Sequence, residues 1–125
     1  MANKCVNSPF APAAVGPYSH SVLAGDTLYI SGQLGIDPAL GAMKETVTDQ
    51  ATQALVNLGA ILKESGMDYS NVVKTTVFLK SMGDFAAINA IYGEYFSSNP
   101  PARSCVAVAE LPLGGLFEVE AVAVR

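Results

Sequence analysis

The residue with the clearest chemical potential is an arginine that stands between a double proline and an apolar run. Pro100 and Pro101 end one segment, and residues 105–111 are rich in valine and alanine, which is typical of a buried strand. Held at the start of that strand, the Arg103 guanidinium could bind a planar carboxylate or phosphate through two parallel hydrogen bonds. A surface arginine or an interfacial salt bridge would give the same pattern, and spacing alone favours that simpler interpretation.

Two glutamates lie close together in the otherwise apolar C-terminal segment, residues 116–124. Alternation along a strand places Glu118 and Glu120 on the same face. Burial in an apolar strand and the like charges would raise the pKa of one of the two, which suits proton transfer near neutral pH. The alternative is that both carboxylates face solvent at a sheet edge.

Four further side chains could line or influence a site. Tyr18 follows a rigid Gly-Pro turn, so its hydroxyl could close a pocket or its ring could simply pack in a loop. Cys105 shares a strand face with Arg103, whose charge could favour the thiolate, but no histidine motif marks it as a nucleophile. The single histidine, His20, is more typical of a satisfied polar residue than of a catalyst. Asn89 lies on the second predicted helix, away from its apolar stripe, and could touch solvent or reach a neighbouring subunit.

Hydrophobic periodicity predicts the elements that position these residues. The proline-rich residues 8–19 exclude helix and central strand, so we expect a loop there. The predicted ranges are 21–23 and 27–31 for a hairpin, 47–65 and 81–98 for two helices, and 72–79, 105–111 and 116–124 for three strands. Gly66 is expected to end the first helix, and Thr46 or Thr48 to cap its start.

The order of these elements contains two strand-helix-strand crossings. The right-handed crossover rule places both helices on one face of a single mixed β-sheet, so we expect an α+β fold formed by one domain, residues 1–125. The other sheet face would lack an intramolecular cover. Its valines and alanines predict burial between subunits, with a ligand site at that interface.

Composition and charge argue against several classes of protein. The 125 residues are 50% hydrophobic and carry a net charge of −4, with seven scattered lysines and arginines, so we expect no nucleic-acid partner. The apolar stretches are too short to span a bilayer and the N-terminus lacks a signal-peptide core, so we expect no membrane partner and a cytoplasmic location. Cys5 and Cys105 are too few and too distant for a disulfide framework or a metal site, and both are expected to be free thiols.

Five segments, taken together, resemble one known family. They are residues 16–19 (GPYS), 30–33 (ISGQ), 72–78 (VVKTTVF), 101–106 (PARSCV) and 118–124 (EVEAVAV). In this order they closely resemble the RidA/YjgF reactive-intermediate deaminases, and the resemblance covers nearly the whole chain.

This resemblance implies a chorismate-mutase-like fold and a homotrimer with three clefts between subunits. It implies a hydrolase, a 2-iminobutanoate/2-iminopropanoate deaminase, which converts enamines and imines such as 2-aminoacrylate into a 2-keto acid and ammonia without cofactor or metal. By motif position, Arg103 would hold the substrate carboxylate and Glu120 would position or deprotonate the attacking water. The cleft wall and backbone contacts would come from Tyr18, Ser31, Gly32, Asn89 and Cys105.

Two positions depart from the family pattern. His20 stands where many members carry glutamine, and Leu113 stands where a lysine is common after Leu-Pro. Both departures bear on substrate preference more than on activity. Histidine beside Tyr18 could also make the rim of the site sensitive to pH.

Two other functions compete with deamination. A regulatory protein could bind 2-keto acids or amino acids in the same clefts without turnover, and Arg103 would serve that role equally well. Glu120 discriminates, because a carboxylate-binding protein has little use for a second carboxylate near its anion site. RNA cleavage, attributed to some relatives, is disfavoured by the net charge of −4.

Overall fold

The computed structural model describes residues 3–125, which form two α-helices and eight β-strands. In chain order they are β1 (Lys4–Val6), β2 (Ser21–Ala24), β3 (Thr27–Leu34), β4 (Ile36–Asp37), β5 (Ala42–Met43), α1 (Val47–Glu64), β6 (Val72–Leu79), α2 (Phe85–Tyr95), β7 (Ala102–Ala107) and β8 (Phe117–Val124). Short 3₁₀ turns lie at Tyr69–Asn71, Met82–Asp84 and Pro112–Gly114.

Six of these strands make one mixed sheet, and β4 and β5 form a separate small hairpin. The strand order is β1-β2-β3-β8-β6-β7, in which β6 and β7 are parallel and the other neighbours are antiparallel. The C-terminal strand β8 therefore lies between β3 and β6. Both helical crossovers, through α1 and α2, pack on the same sheet face, which confirms the predicted α+β arrangement.

The longer helix, α1, shows how the sequence sets the element boundaries. The Thr46 hydroxyl accepts the Asp49 amide hydrogen at the N-terminus, and Gly66 takes a left-handed φ of 68° just past the C-terminus. Its buried apolar stripe consists of Ala51, Ala54, Leu55, Leu58, Ile61 and Leu62. The predicted helix, its stripe and its stop are confirmed. Within residues 3–125, the helices are too short or too polar to cross a membrane.

Strand β7 differs from the prediction in range and in burial. It spans Ala102–Ala107 instead of residues 105–111, and it lies at the sheet edge with only β6 beside it. Its residues alternate between exposed and half-buried rather than being buried. The apolar run was misleading because half of it faces the sheet surface that no helix covers.

The sheet face opposite the helices, here called the open face, stays uncovered by the described part of the chain. Apolar side chains are exposed on it at Tyr29 (54%), Val106 (45%) and Val124 (39%). Polar neighbours on the same face include Lys74, whose Nζ donates to Ser104 Oγ at 3.0 Å. The sequence analysis predicted that one face of the sheet would lack a cover within a single chain.

Candidate functional site

Arg103 lies on the edge strand β7 and turns its side chain toward α2. Its Nη1 donates to Asn89 Oδ1 at 2.8 Å. Its Cζ lies 4.7 Å from the ring centroid of Tyr92 and 5.5 Å from that of Phe85. Phe85, Asn89 and Tyr92 follow one another at spacings of four and three residues along α2, so they share one face of the helix. Electron-rich ring faces attract a cation, and together with the amide they fix the guanidinium in place.

The position of Asn89 corrects the expectation from the sequence. It was expected to face solvent or another subunit, away from the stripe that includes Phe85 and Tyr92, but it lies beside them and contacts Arg103. One residue beyond buried Ile88, it stands at the margin of the stripe. That margin meets the edge strand because β7 packs beside α2.

The Tyr92 ring that contacts Arg103 is itself held by a hydrogen bond to the sheet. Its hydroxyl lies 2.7 Å from Thr75 Oγ1, and Thr75 is fully buried in β6, directly opposite Arg103 in the parallel ladder. Sequence reasoning overlooked Thr75 and Tyr92. The available signal was a threonine in the middle of a β-branched core strand, where a buried hydroxyl requires a partner.

The Arg103 guanidinium keeps hydrogen-bond donors free for an anion. Among residues 3–125 the ion pairs are Lys44 with Asp37 and Arg125 with Asp26, and neither involves Arg103. A half-buried guanidinium without a carboxylate partner is suited to a ligand carboxylate, which accepts two parallel hydrogen bonds.

Cys105 lies on the same strand face as Arg103 and is half-buried. Burial raises the pKa of the Cys105 thiol, and the Arg103 charge offsets only part of that effect. The Arg103 charge thus favours the thiolate as expected, but burial outweighs it. The side chain is a neutral thiol that lines the wall beside the guanidinium.

The two glutamates of β8 lie on the open face, on the opposite side of the sheet from the Arg103 side chain. In the ladder, Thr76 stands opposite both Glu120 and Ser104, whereas Arg103 pairs with the preceding residue. Glu120 borders a cavity of about 310 Å³ that Ser31 and Lys74 also line. β8 is a central strand, so a location at the sheet edge is excluded.

Burial separates the two carboxylates in a way that the sequence did not predict. Glu120 is exposed in the described chain, whereas Glu118 is half-buried, so the burial expected in this apolar strand applies to Glu118 and not to Glu120 in a single chain. Burial, followed by the like charge of Glu120, raises the pKa of Glu118. A Cβ on Gly32 would lie 2.5 Å from Glu118 Oε2, so this glycine makes the space for the carboxylate.

The loop that carries Tyr18 is hydrogen-bonded to the middle of β3. Ser31 Oγ donates to the Ser19 carbonyl at 2.7 Å, and Tyr18 itself is 47% exposed. The buried His20 ring accepts the Ser8 amide hydrogen at Nδ1 (3.1 Å) and donates from Nε2 to the Pro12 carbonyl (2.7 Å). Both ring nitrogens are occupied, which supports the satisfied polar role, and the pH-sensitive rim stays a prediction.

The predicted site residues thus fall into two groups. The arginine group, on the helix side of the edge strand, consists of Arg103, Asn89 and Cys105. The glutamate group lies on the open face and near the β-bulge that interrupts β3 between Ile30 and Gln33. It consists of Tyr18, Ser31, Gly32 and Glu120. One chain does not bring the two groups together.

Known proteins with similar sequences match the chain over almost its whole length. A family model described as Endoribonuclease L-PSP matches residues 9–125. The chain belongs to the RidA/YjgF family. A 2-iminobutanoate/2-iminopropanoate deaminase of Capra hircus is 50% identical over 126 residues, and the Homo sapiens protein of that name is 48% identical. Each alignment covers 100% of this chain and 92% of the relative.

Solved structures of RidA/YjgF relatives share the fold. The YjgF gene product of E. coli has a TM-score of 0.94 at 42% identity, with 98% of both chains covered. E. coli TdcF with bound serine also has a TM-score of 0.94, at 39% identity and with the same coverage. The family and fold inferred from the sequence motifs are confirmed.

The buried hydroxyl pair offers a test of the support beneath Arg103. Tyr92→Phe should lower the free energy of unfolding by about 1–2 kcal/mol, because the buried Thr75 hydroxyl loses its partner. Adding Thr75→Val should restore part of that loss, since neither hydroxyl then remains unpaired. Urea unfolding of the two single variants and the double variant measures the coupling, and strictly additive losses would contradict the paired arrangement.

The half-buried Glu118 should make stability depend on pH. Its raised pKa means that the folded chain holds the proton more tightly than the unfolded chain. Its contribution is therefore fully present below the ordinary pKa of 4.5 and is lost as pH rises through the folded value. Glu118→Gln should raise the thermal midpoint at pH 7 and leave it nearly unchanged at pH 3. The exposed Glu94→Gln serves as control, and an equal gain in both variants would contradict the assignment.

Proposed function

We propose that this protein hydrolyses short-lived 2-imino acids and their enamine tautomers, such as 2-aminoacrylate, to 2-keto acids and ammonia. The observation that carries the proposal is the Arg103 guanidinium, fixed by Asn89 and two aromatic rings and paired with no carboxylate among residues 3–125. Relatives that are 48–50% identical over the whole chain are named 2-iminobutanoate/2-iminopropanoate deaminases.

The working site is shared between two copies of the chain. Arg103 faces α2, whereas Glu120 faces away from both helices, so a substrate that touches both groups needs the arginine group of one copy and the glutamate group of another. The exposed apolar side chains of the open face support burial against a neighbouring copy. A homotrimer with three such clefts fits these requirements.

Each residue then has a defined task in the reaction. Arg103 holds the substrate carboxylate, and the enamine, once tautomerised, presents its C=N carbon to water. Glu120 takes a proton from that water as the C–O bond forms, and the nitrogen takes up a proton to give the carbinolamine. A second proton on nitrogen lets ammonia leave, and the C–N bond breaks as the hydroxyl loses its proton and the C=O bond forms. Because the substrate already reacts slowly with water, catalysis of this hydrolysis requires only substrate orientation and proton transfer.

Two alternatives are less well supported. A regulatory protein that binds without turnover would explain Arg103, but the curated relatives carry the names of enzymes and the second carboxylate would have no task. The family description names an endoribonuclease, yet a net charge of −4 with seven scattered basic residues is poorly suited to RNA. The cytoplasmic location stays a prediction.

The test is the fate of 2-aminoacrylate released in situ by a serine dehydratase. Pyruvate release in the presence of the protein should clearly exceed the spontaneous rate and should rise in proportion to protein concentration. Binding of 2-oxobutanoate measured by calorimetry, without any acceleration by well-folded protein, would reject deamination in favour of the regulatory function.

A further inference from the structure

An exposed leucine lies beside the part of the proposed site that Tyr18 and Gly32 form. Leu113 is 65% exposed and borders the same small cavity, of about 30 Å³, as those two residues. Val15, which is 73% exposed, lies on the same rim. Two large apolar side chains, Val15 and Leu113, therefore line the rim of the cavity beside the glutamate group.

The turn holds Leu113 in an unusual backbone conformation. Its φ of 57° lies in the left-handed region, which branched side chains rarely adopt. The turn is anchored on both sides: Leu111 is buried, and a Cβ on Gly115 would lie 2.9 Å from Leu34 Cδ2. The anchors fix the turn on the end of β3, so the Leu113 side chain is presented at the rim.

The cavity beside Leu113 offers an apolar surface. Its volume admits a group about the size of a water molecule or a methyl, so it suits the end of a substrate side chain and not a whole substrate. Much of its polar lining is already hydrogen-bonded: both nitrogens of the His20 ring are bonded, Gln33 Nε2 donates to the Ser31 and Gly32 carbonyls, and the Tyr18 hydroxyl accepts the Val15 amide hydrogen.

Charged side chains are missing from this lining, as far as the described residues show. A substrate carboxylate placed there would lose water without gaining a partner, which is unfavourable. We propose that Leu113 is a specificity-determining residue, which with Val15 forms an apolar rim that favours imino acids with aliphatic side chains over those with acidic side chains. This inference rests on the proposed deaminase function and goes beyond it by naming a side-chain preference.

The test compares two imino acids formed in situ by amino acid oxidases, from leucine and from glutamate, with catalase present to remove peroxide. The wild type should favour the leucine-derived imino acid in kcat/KM. Leu113→Lys should lower that preference by about tenfold, within the range that one methylene contact contributes in a pocket. Leu113→Asn, which tolerates the left-handed backbone, should lower it by about threefold. Leu40→Lys is the matched control, since Leu40 is 76% exposed and does not border this cavity, and it should leave the preference unchanged.

The outcomes separate the two proposals. If the wild type accelerates 2-aminoacrylate hydrolysis but both Leu113 variants keep the wild-type preference within twofold, the rim assignment is overturned and the deaminase function stands. A wild type that accelerates none of the three substrates overturns the deaminase function and this inference together.

Discussion

Arg103→Ala should lower kcat/KM for 2-aminoacrylate hydrolysis by about 10²- to 10³-fold. Among residues 3–125 the guanidinium hydrogen-bonds to Asn89 and contacts two rings, which leaves its remaining donors for a ligand. Removing it deletes a bidentate, charge-assisted contact and leaves the substrate carboxylate without a partner in a partly desolvated cleft. Initial rates of pyruvate release, compared with the spontaneous rate, measure the loss.

Two further variants make this result specific. Arg103→Lys keeps the charge but loses the planar fork, so it should recover only part of the activity. Arg125→Ala removes an exposed arginine that forms an ion pair with Asp26, and this variant should retain wild-type activity. A loss of less than twofold in Arg103→Ala, with the fold intact, would contradict the anion-site assignment.

Glu120→Gln should lower kcat by about 10²-fold or more while KM changes by only a few-fold. The amide keeps the size of the side chain but cannot accept a proton from water, and the substrate carboxylate is still held by Arg103. Because Glu120 is exposed on the open face of one chain, its replacement should leave the folded chain stable. Steady-state kinetics with a range of dehydratase fluxes separate kcat from KM.

The exposed Glu110→Gln is the matched control and should behave as the wild type. A Glu120→Gln variant that raises KM and keeps kcat would show that the carboxylate binds substrate without taking part in proton transfer. Unchanged kcat and KM would remove Glu120 from the mechanism.

Regular patterns explain why much of the fold was predictable from the sequence. The stripe of α1 repeats every three to four residues between a threonine cap and Gly66, and strand β8 alternates cleanly between the two sheet faces. The β2–β3 hairpin and the proline-rich loop before it also follow from local residue chemistry. Each of these elements depends on its own residues more than on its neighbours.

The sequence-based predictions were wrong where the structure depends on contacts and register between neighbouring strands. Alternation places Glu118 and Glu120 on one face, but Gly32 on the adjacent strand determines which of them is half-buried. The opposite orientations of Arg103 and Glu120 depend on strand register, which pairs one with Thr75 and the other with the next residue of β6. Register between distant segments has no local signature in a single sequence.

The most direct test of a deaminase site shared between copies is to mix Arg103→Ala with Glu120→Gln, two variants expected to be nearly inactive alone. Co-assembled at random in equal amounts, they should recover about a quarter of the wild-type activity, because an intact site needs its arginine from one kind of copy and its glutamate from the other. Each variant reassembled with itself should stay inactive. A mixture that remains as inactive as its components would contradict the shared site and place the two residues in the same copy.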